Sequence, residues 1–511
     1  MSRRWALRGL FALGCALLVA MPALQLCSLH STLCDMGIYA NIYWALSNGQ
    51  WGRLFFGHAV PLLALYHPFW LLFPDPLTLV LLQSAALVAG FVLAARLGAA
   101  WNLPAWLTPL AYLAFFPIWF NALFDFHPDH MAIPLGLAFF LLARTGRWRL
   151  AALAALLLCL VKEPYALCGV CCGPYIWLRG KRPALGLVVS ALSLGYLLFA
   201  VFVAIPTYTY STSNFATGMA TSLPKSALGF ASNLPELLLA KRKWFYLLLL
   251  FGGLGFLPAF APLELLPAMP LVAGTLLVSN PNYYSHGHQY TAGFVAPLLV
   301  AFAAVASRLG LGGPGRRGAT VSVVGCMLAV HALFSPSPLS RFFVLGNVWK
   351  YCPAAYIPTP RDSLIKQTID RYIPADPHAV VSSQNSVFYA PLARRDALFA
   401  FPDGVFSPQL YPYHADGASG RWFQADYVVV DLKRPWYLGQ DGCSWLSGSP
   451  VTLTAEELAM AGVTEPFGPL PWIGCLDPAA RRAFLSTLQQ TRNRYTLRYA
   501  HDGFMIFGPE Q

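Results

Sequence analysis

Long apolar runs, interrupted by few charges, dominate the first two thirds of this chain. A helix needs about 20 apolar residues to cross a hydrocarbon core of about 30 Å, and fewer where neighbouring helices bury it. The sequence therefore predicts about eleven membrane-spanning helices, the first being an uncleaved span rather than a signal peptide. The predicted spans are 5–28, 77–97, 103–121, 130–144, 149–162, 164–179, 184–205, 243–260, 261–278, 290–308 and 319–336.

The composition also indicates a protein that dissolves in lipid. The 511 residues are 57% hydrophobic and only 11% charged, whereas a soluble domain carries about 25% charged residues. The net charge of +12 does not indicate nucleic-acid binding, because Lys and Arg lie in short clusters between the apolar runs. We expect the lipid bilayer as a partner and no nucleic acid.

The basic clusters predict an orientation, since Lys and Arg collect on the cytoplasmic side of a membrane. Alternating spans bring nearly all of them to one side, with a cytoplasmic N-terminus. The exception is 241–243, which falls outside; either the loop 206–242 contains another pass, or these cations meet anionic headgroups. The cytoplasmic clusters contain Arg3, Arg4, Arg8, Arg96, Arg144, Arg147, Arg149, Arg179, Lys181, Arg182, Arg308, Arg316 and Arg317.

An odd number of spans places the tail outside the cytoplasm. The predicted architecture is a mainly α polytopic membrane domain, 1–338, followed by an extracytoplasmic α/β domain, 339–511. Cys443 and Cys475 in this tail form a candidate disulfide. The tail's predicted strands and hairpin are 379–384, 397–402, 427–432 and 495–509, and its predicted helices are 362–372 and 478–491.

A lone acid, Asp35, follows the first span. Ionisable residues in or beside a membrane span are costly, which makes them functional candidates. The alternative is an N-cap for an interfacial helix. In the same segment, Tyr39, Tyr43 and Trp44 are candidate substrate-binding residues, although they equally suit an aromatic belt at the membrane surface.

The second outer loop carries two acids and two histidines around Pro128. Proline suits the first residue of a helix, so Asp129 should lie in the first turn, beside amides that favour a phosphate. The set Asp125, His127 and Asp129 is also a candidate site for a divalent cation, Mg²⁺ or Mn²⁺, and His130 follows it. The alternative is that the acids only cap the helix and the histidines only mark the membrane interface.

Lys162 and Glu163 interrupt a long apolar stretch that begins and ends beside cytoplasmic Arg clusters. The chain must therefore turn back, and Pro164 suits the start of the returning helix. These two charges form either a buried structural ion pair or a site in which the lysine neutralises a lipid phosphate.

Histidines in two other outer loops complete the polar set. His58 lies in the first loop, His286 and His288 precede the span 290–308, and Tyr290 begins that span. They are candidate substrate-binding residues. Histidine and tyrosine are also ordinary residues of a membrane interface, so this interpretation stays open beside the functional one.

An ordered set of motifs runs through nearly the whole chain. It comprises 35–39, Gly57-His58 with Pro61, 124–128, Lys162-Glu163, His288 with Tyr290, Ala296-Pro297, 381–384, Arg394-Arg395, Phe401-Pro402, 425–427 and Asp431. These motifs resemble the DUF2079 family of predicted bacterial membrane proteins. That family in turn resembles the GT-C class of membrane glycosyltransferases, which use polyprenyl-phosphate-linked sugars.

The resemblance implies a reaction on the outer face of the bacterial inner membrane. A sugar would pass, with inversion, from a polyprenyl-phosphate-linked donor to a glycan, lipid or protein acceptor. GT-C enzymes place a catalytic Asp in the first outer loop and further acids in the second, where Asp35 and Asp125 stand here. Met36 replaces the acid that often follows the first Asp, and histidines accompany the second-loop acids.

The resemblance makes Asp35 the predicted general base, which would take a proton from the acceptor hydroxyl. A second group is the predicted region for the donor phosphate or a metal. It contains Asp125, His127, Asp129, His130, Lys162 and Glu163.

Two other classes of function stay open. A transporter or lipid flippase would use Lys162, Glu163 and the histidines as a relay, although the sequence shows no inverted repeat. A non-catalytic envelope assembly protein would use its tail to bind another protein.

Overall fold

The computed structural model describes nine stretches of the chain and divides it into two compact units. His286 and the Cys443–Cys475 pair lie outside the described residues, so the predictions made for them stay predictions. The described residues are 3–209, 234–236, 238–278, 280–285, 287–345, 349–411, 421–435, 453–462 and 478–509.

The first unit comprises Met1–Ala20, Leu54–Tyr66 and Val80–Arg341, and it is built of helices. Its described α-helices, which lie in it wholly or for the most part, are Arg3–Cys27, Pro76–Ala100, Leu107–Ala114, Phe116–Leu123, Ala132–Arg144, Trp148–Cys159, Tyr165–Gly180, Pro183–Phe199, Ile205–Thr209, Lys241–Gly252, Pro262–Leu265, Met269–Leu277, Ala292–Arg308 and Arg317–Phe334.

Within the described residues, five helical segments are long and apolar enough to cross a membrane. The predicted count of about eleven is therefore not confirmed. The other predicted spans fall on helices that are shorter or interrupted. The five segments are Trp5–Cys27, Pro76–Ala100, Pro183–Tyr208, Gln289–Arg308 and Arg317–Phe334.

The predicted span 103–121 shows why a long apolar run need not form one helix. The backbone is extended at Phe115, which separates two eight-residue helices. Pro117 has no amide hydrogen for the carbonyl of Leu113, and the indole N–H of Trp119 donates to that oxygen instead, at 2.7 Å. His331 Nδ1 lies 2.9 Å from the neighbouring carbonyl of Ala114. Side chains thus satisfy the carbonyls that the break leaves open.

The predicted reversal at Lys162 and Glu163 is present. One helix ends at Cys159, the next begins at Tyr165, and the two pack together. The returning helix then packs closely on Pro183–Phe199, because Gly173 and Gly186 face each other. A Cβ on Gly186 would lie 2.5 Å from the carbonyl oxygen of Gly173, which is closer than real Cβ atoms approach a backbone atom.

The second unit comprises Met21–Arg53, His67–Leu79 and Phe342–Gln511 and contains the sheets. Its described α-helices are Ile38–Ser47, His67–Leu72, Arg341–Leu345, Pro360–Tyr372, Ala455–Ala461 and Pro478–Arg494. Its strands are β1 (Val381–Ser383), β2 (Leu398–Ala400), β3 (Gln409–Tyr411), β4 (Arg421–Phe423), β5 (Tyr427–Asp431), β6 (Thr496–His501) and β7 (Phe504–Gly508).

The strands form a five-stranded sheet with the order β2-β1-β5-β7-β6 and a separate β3-β4 pair. The β2, β1 and β5 strands are parallel, while β7 runs antiparallel to β5 and to β6. Alternate residues of β5 face opposite sides: Val428 packs with Leu485, whereas Val429 packs with Ile365. The predicted strands, closing hairpin and two tail helices are confirmed.

A buried network of ion pairs fixes one end of this sheet. The guanidinium of Arg434 donates to Asp362 at 2.9 Å and to Asp431 at 3.2 Å, and Arg361 donates to Asp431 at 2.8 Å. Burial lowers the pKa of Arg434, while Asp431 and Asp362 act in the opposite direction. Because each charge has a partner, this network is structural.

The second unit also includes the segment around Asp35, which the sequence assigned to the membrane domain. The backbone N–H of Cys34 donates to the side-chain oxygen of Asn385 at 2.7 Å. The side chain of Asn41 donates to the carbonyls of Ala393 and Arg395, at 2.9 and 2.7 Å. The membrane and extracytoplasmic roles of 1–338 and 339–511 stay predictions.

Candidate functional site

A cavity of about 330 Å³ lies within the first unit. Apolar side chains, among them Leu271, Leu277, Val278 and Phe294, form most of its wall. The polar side chains that line it are His58, Asp129, Lys162, Tyr165, Thr275, Tyr283 and Tyr290. The cavity therefore combines an apolar wall with a small polar cluster, as ligand sites commonly do.

Asp129 enters the cavity from a short 3₁₀ turn, Pro128–Met131, that precedes the helix Ala132–Arg144. Proline begins this turn, as the sequence predicts. The hydroxyl of Tyr165 donates to Asp129 Oδ1 at 2.7 Å, and Lys162 Nζ lies 3.6 Å from Oδ2. Both charged side chains are buried, so they form an ion pair that is largely withdrawn from solvent.

The backbone before Asp129 is held by Gln83, which was not among the residues predicted from the sequence. Its Oε1 accepts from the N–H of His127 at 3.0 Å, and its Nε2 donates to the carbonyl of Asp125 at 3.1 Å. Asp125 itself has a φ of +146°, a backbone conformation that residues other than glycine rarely adopt. A buried amide within an apolar span was the signal that could have identified Gln83.

Lys162 also faces an aromatic surface. Its ammonium lies 5.8 Å from the centroid of the Tyr290 ring, within the range of a cation–π interaction. The Tyr283 and Tyr290 rings lie 4.9 Å apart. Sequence reasoning missed Tyr283 and Tyr165, because tyrosines are common at membrane interfaces.

Glu163, adjacent to Lys162 in sequence, binds a different partner. Its Oε1 accepts from His58 Nδ1 at 2.7 Å, and its Oε2 accepts from the N–H of Ala59 at 3.0 Å. Glu163 is fully buried, whereas the side chain of His58 is 25% exposed and lines the cavity. The hairpin tip thus joins two acid–base pairs, Asp129 with Lys162 and Glu163 with His58.

The remaining predicted residues of this unit pack near the cluster. His130 Nε2 lies 3.0 Å from the hydroxyl of Tyr66. His127 and His288 contact the Phe124 ring, with centroid distances of 5.8 and 5.2 Å. These three histidines are buried, and they do not line the cavity.

The metal set predicted from the sequence, Asp125, His127 and Asp129, stays a prediction. Across the residues that the structure describes, no three His, Cys, Asp or Glu side chains form a group that could hold a metal ion. Asp129 contacts Tyr165 and Lys162.

Asp35, Tyr39, Tyr43 and Trp44 belong to the second unit. Asp35 lies in the first turn of Leu33–Gly37, whose N-cap is Thr32, and the Thr32 hydroxyl donates to it at 3.0 Å. Tyr43 is fully buried and stacks on Trp70, with ring centroids 5.5 Å apart. The ring of Tyr43 therefore contributes to packing inside this unit.

The apolar helices and this cavity define a helical membrane protein with a small α/β unit. The chain belongs to the DUF2079 family, described as a predicted membrane protein, whose model matches residues 25–437. This match covers most of the chain and confirms the resemblance to that family. The family description names no activity, and the likeness to GT-C enzymes is not shown. No curated protein matches the chain.

Proposed function

We propose that this protein is a membrane glycosyltransferase that takes its sugar from a polyprenyl-phosphate-linked donor. The observation that carries the proposal is the first-unit cavity, in which the buried Lys162 and a few other polar side chains interrupt a mostly apolar wall. A ligand that suits such a wall has a hydrocarbon chain and an anionic headgroup. A polyprenyl phosphate has both.

Lys162 supports the assignment of the anionic part. Lys162 lies 3.6 Å from Asp129 Oδ2, and its side chain lines the cavity. A phosphate oxygen that enters the cavity would accept a charge-assisted hydrogen bond of about 2.7–2.9 Å from this ammonium. Lysine would then stabilise the charge that develops on the leaving phosphate.

Aromatic side chains support the assignment of the sugar. Tyr283 and Tyr290 line the cavity beside Lys162, and their rings and hydroxyls offer an apolar face and hydrogen-bonding groups together. A sugar linked to the phosphate would lie next to them. We propose a single displacement at the anomeric carbon, which inverts its configuration.

The location of the reaction is part of the same proposal. The protein would lie in the bacterial inner membrane with its N-terminus in the cytoplasm and the C-terminal α/β portion outside, where the acceptor is bound. The general base predicted from the sequence, Asp35, stays a prediction. It belongs to the second unit, whereas residues of the first unit line the cavity.

Binding of undecaprenyl phosphate to the full chain tests the proposal. Native mass spectrometry should show one bound molecule that phosphatidylglycerol does not displace. Lys162→Met should weaken the binding about 10- to 100-fold, which corresponds to the loss of one charged hydrogen bond of about 1.5–3 kcal/mol. Lys181→Met, which removes an exposed charge from the same unit, should leave binding unchanged.

Lys162→Met also leaves Asp129 buried without its cation. The double variant Lys162→Met with Asp129→Asn removes both charges and controls for misfolding. Equal binding by the wild type and both variants would contradict the proposal. Movement of lipid across the membrane without release of sugar would favour a flippase instead.

A further inference from the structure

We infer that His58 is the proton acceptor of the transfer reaction and that Glu163 is its positioning residue. This inference rests on the proposed function and assigns roles within the same cavity. Its basis is the His58–Glu163 pair, in which a fully buried carboxylate holds one nitrogen of a ring that lines the cavity.

The hydrogen bonds of Glu163 determine which ring nitrogen carries the proton. Its two oxygens lie 2.7 Å from His58 Nδ1 and 3.0 Å from the N–H of Ala59. An ionised carboxylate only accepts hydrogen bonds, so Nδ1 must donate. In a neutral imidazole the other nitrogen, Nε2, is then an acceptor. Nε2 is the nitrogen that remains to meet a ligand in the cavity.

This arrangement is suited to removing a proton from an acceptor hydroxyl. As the hydroxyl oxygen forms a bond to the anomeric carbon, its proton passes to His58 Nε2. The bond between that carbon and the phosphate oxygen breaks, and the phosphate leaves with the electron pair, next to Lys162. His58 becomes an imidazolium that Glu163 stabilises, and it later releases the proton to water.

Asp129, the other acid of the cavity, is less suited to this role. It accepts a hydrogen bond from Tyr165 at 2.7 Å and lies 3.6 Å from Lys162. Both neighbours stabilise its charged form, so it resists taking up a proton. Its hydrogen bond with Tyr165 instead fixes the carboxylate beside Lys162.

Replacing Glu163 by glutamine changes the hydrogen bond that positions His58 while keeping a side chain of nearly the same size. The backbone N–H of Ala59 can only donate, so it should attract the amide oxygen of the glutamine. The amide NH₂ then faces His58 Nδ1, which must become an acceptor. The proton moves to Nε2, and a histidine of nearly unchanged position can no longer accept a proton from the substrate.

The test is ¹⁵N NMR of the full chain, labelled at histidine and held in lipid nanodiscs, with the His58 signals assigned by subtraction of a His58→Asn spectrum. We expect Nδ1 protonated and Nε2 unprotonated in the wild type, and the reverse in Glu163→Gln. Undecaprenyl phosphate should shift the Nε2 signal of His58. His378, which pairs with Asp396 at the same 2.7 Å but is 81% exposed, should not respond.

The possible failures can be told apart. A protonated Nε2 in the resting wild type, or no tautomer change in Glu163→Gln, would overturn the inference. An unshifted His58 signal in protein that binds undecaprenyl phosphate would also overturn it, while leaving the proposed function in place. Absence of any lipid binding would overturn the proposed function, and with it the reaction assigned to His58.

Discussion

At the scale of the residue, the adjacent charges Lys162 and Glu163 act on different groups. Lys162 approaches Asp129 and the face of Tyr290, while Glu163 binds His58 and the backbone N–H of Ala59. One hairpin tip therefore brings together the cation to which we assign phosphate binding and the carboxylate to which we assign the positioning of His58.

The sequence favours Asp35 as the proton acceptor and our inference favours His58, so single variants of the two residues can be compared. The measurement is release of polyprenyl phosphate from a panel of polyprenyl-phosphate-linked hexoses and pentoses in the presence of an added hydroxyl acceptor. His58→Asn should lower kcat about 10²- to 10⁴-fold, the usual contribution of a general base. Asp35→Asn should retain most of the turnover. A larger loss of kcat in Asp35→Asn than in His58→Asn would instead assign the general base to Asp35.

Sequence identified much of this cluster, because ionisable residues beside membrane spans are costly. Asp129, Lys162, His58 and Glu163 were all selected on that ground. Their pairing was not predictable, since it depends on how three separate segments meet. For Glu163, the sequence suggested only its neighbour Lys162 as an ion-pair partner.

At the scale of the element, helix breaks and close helix–helix packing determine whether an apolar run forms one long helix or several short ones. The long apolar runs located most of the helices. It did not predict the extended residue Phe115 or the side chains of Trp119 and His331 that satisfy the carbonyls there. Trp119 lies only six positions from Leu113, but His331 lies 217 positions from Ala114, so the second contact could not be read from the local sequence.

Gly186 provides a test of helix packing. Gly186→Ala would place a Cβ 2.5 Å from the carbonyl oxygen of Gly173, and we expect the free energy of unfolding to fall by about 1–3 kcal/mol. Gly195 lies on the same helix, and a Cβ added there would meet no neighbouring atom within 4 Å. Gly195→Ala should therefore be neutral or slightly stabilising. Equal thermal unfolding of the two variants in detergent would contradict the packing.

At the scale of the whole molecule, the chain forms two units whose boundaries do not follow sequence order. The strands were predictable, because they are short runs rich in β-branched and aromatic residues. The inclusion of 21–53 in the second unit was not, since it depends on specific hydrogen bonds such as those of Asn41 and Asn385.

The proposed orientation is a property of the whole chain. The proposal puts the C-terminal portion outside the cytoplasm. Alkaline phosphatase fused after residue 511 should therefore be active, and green fluorescent protein fused at the same position should not fluoresce. The opposite pair of results would place that portion in the cytoplasm and contradict an extracytoplasmic reaction.

The central claim is that the cavity of the first unit binds a polyprenyl phosphate. An experimental structure of the full chain with undecaprenyl phosphate in nanodiscs tests it most directly. We expect a phosphate oxygen about 3 Å from Lys162 Nζ, with the hydrocarbon chain along Leu271 and Val278. A lipid bound only at the outer surface, with the cavity unchanged, would contradict it.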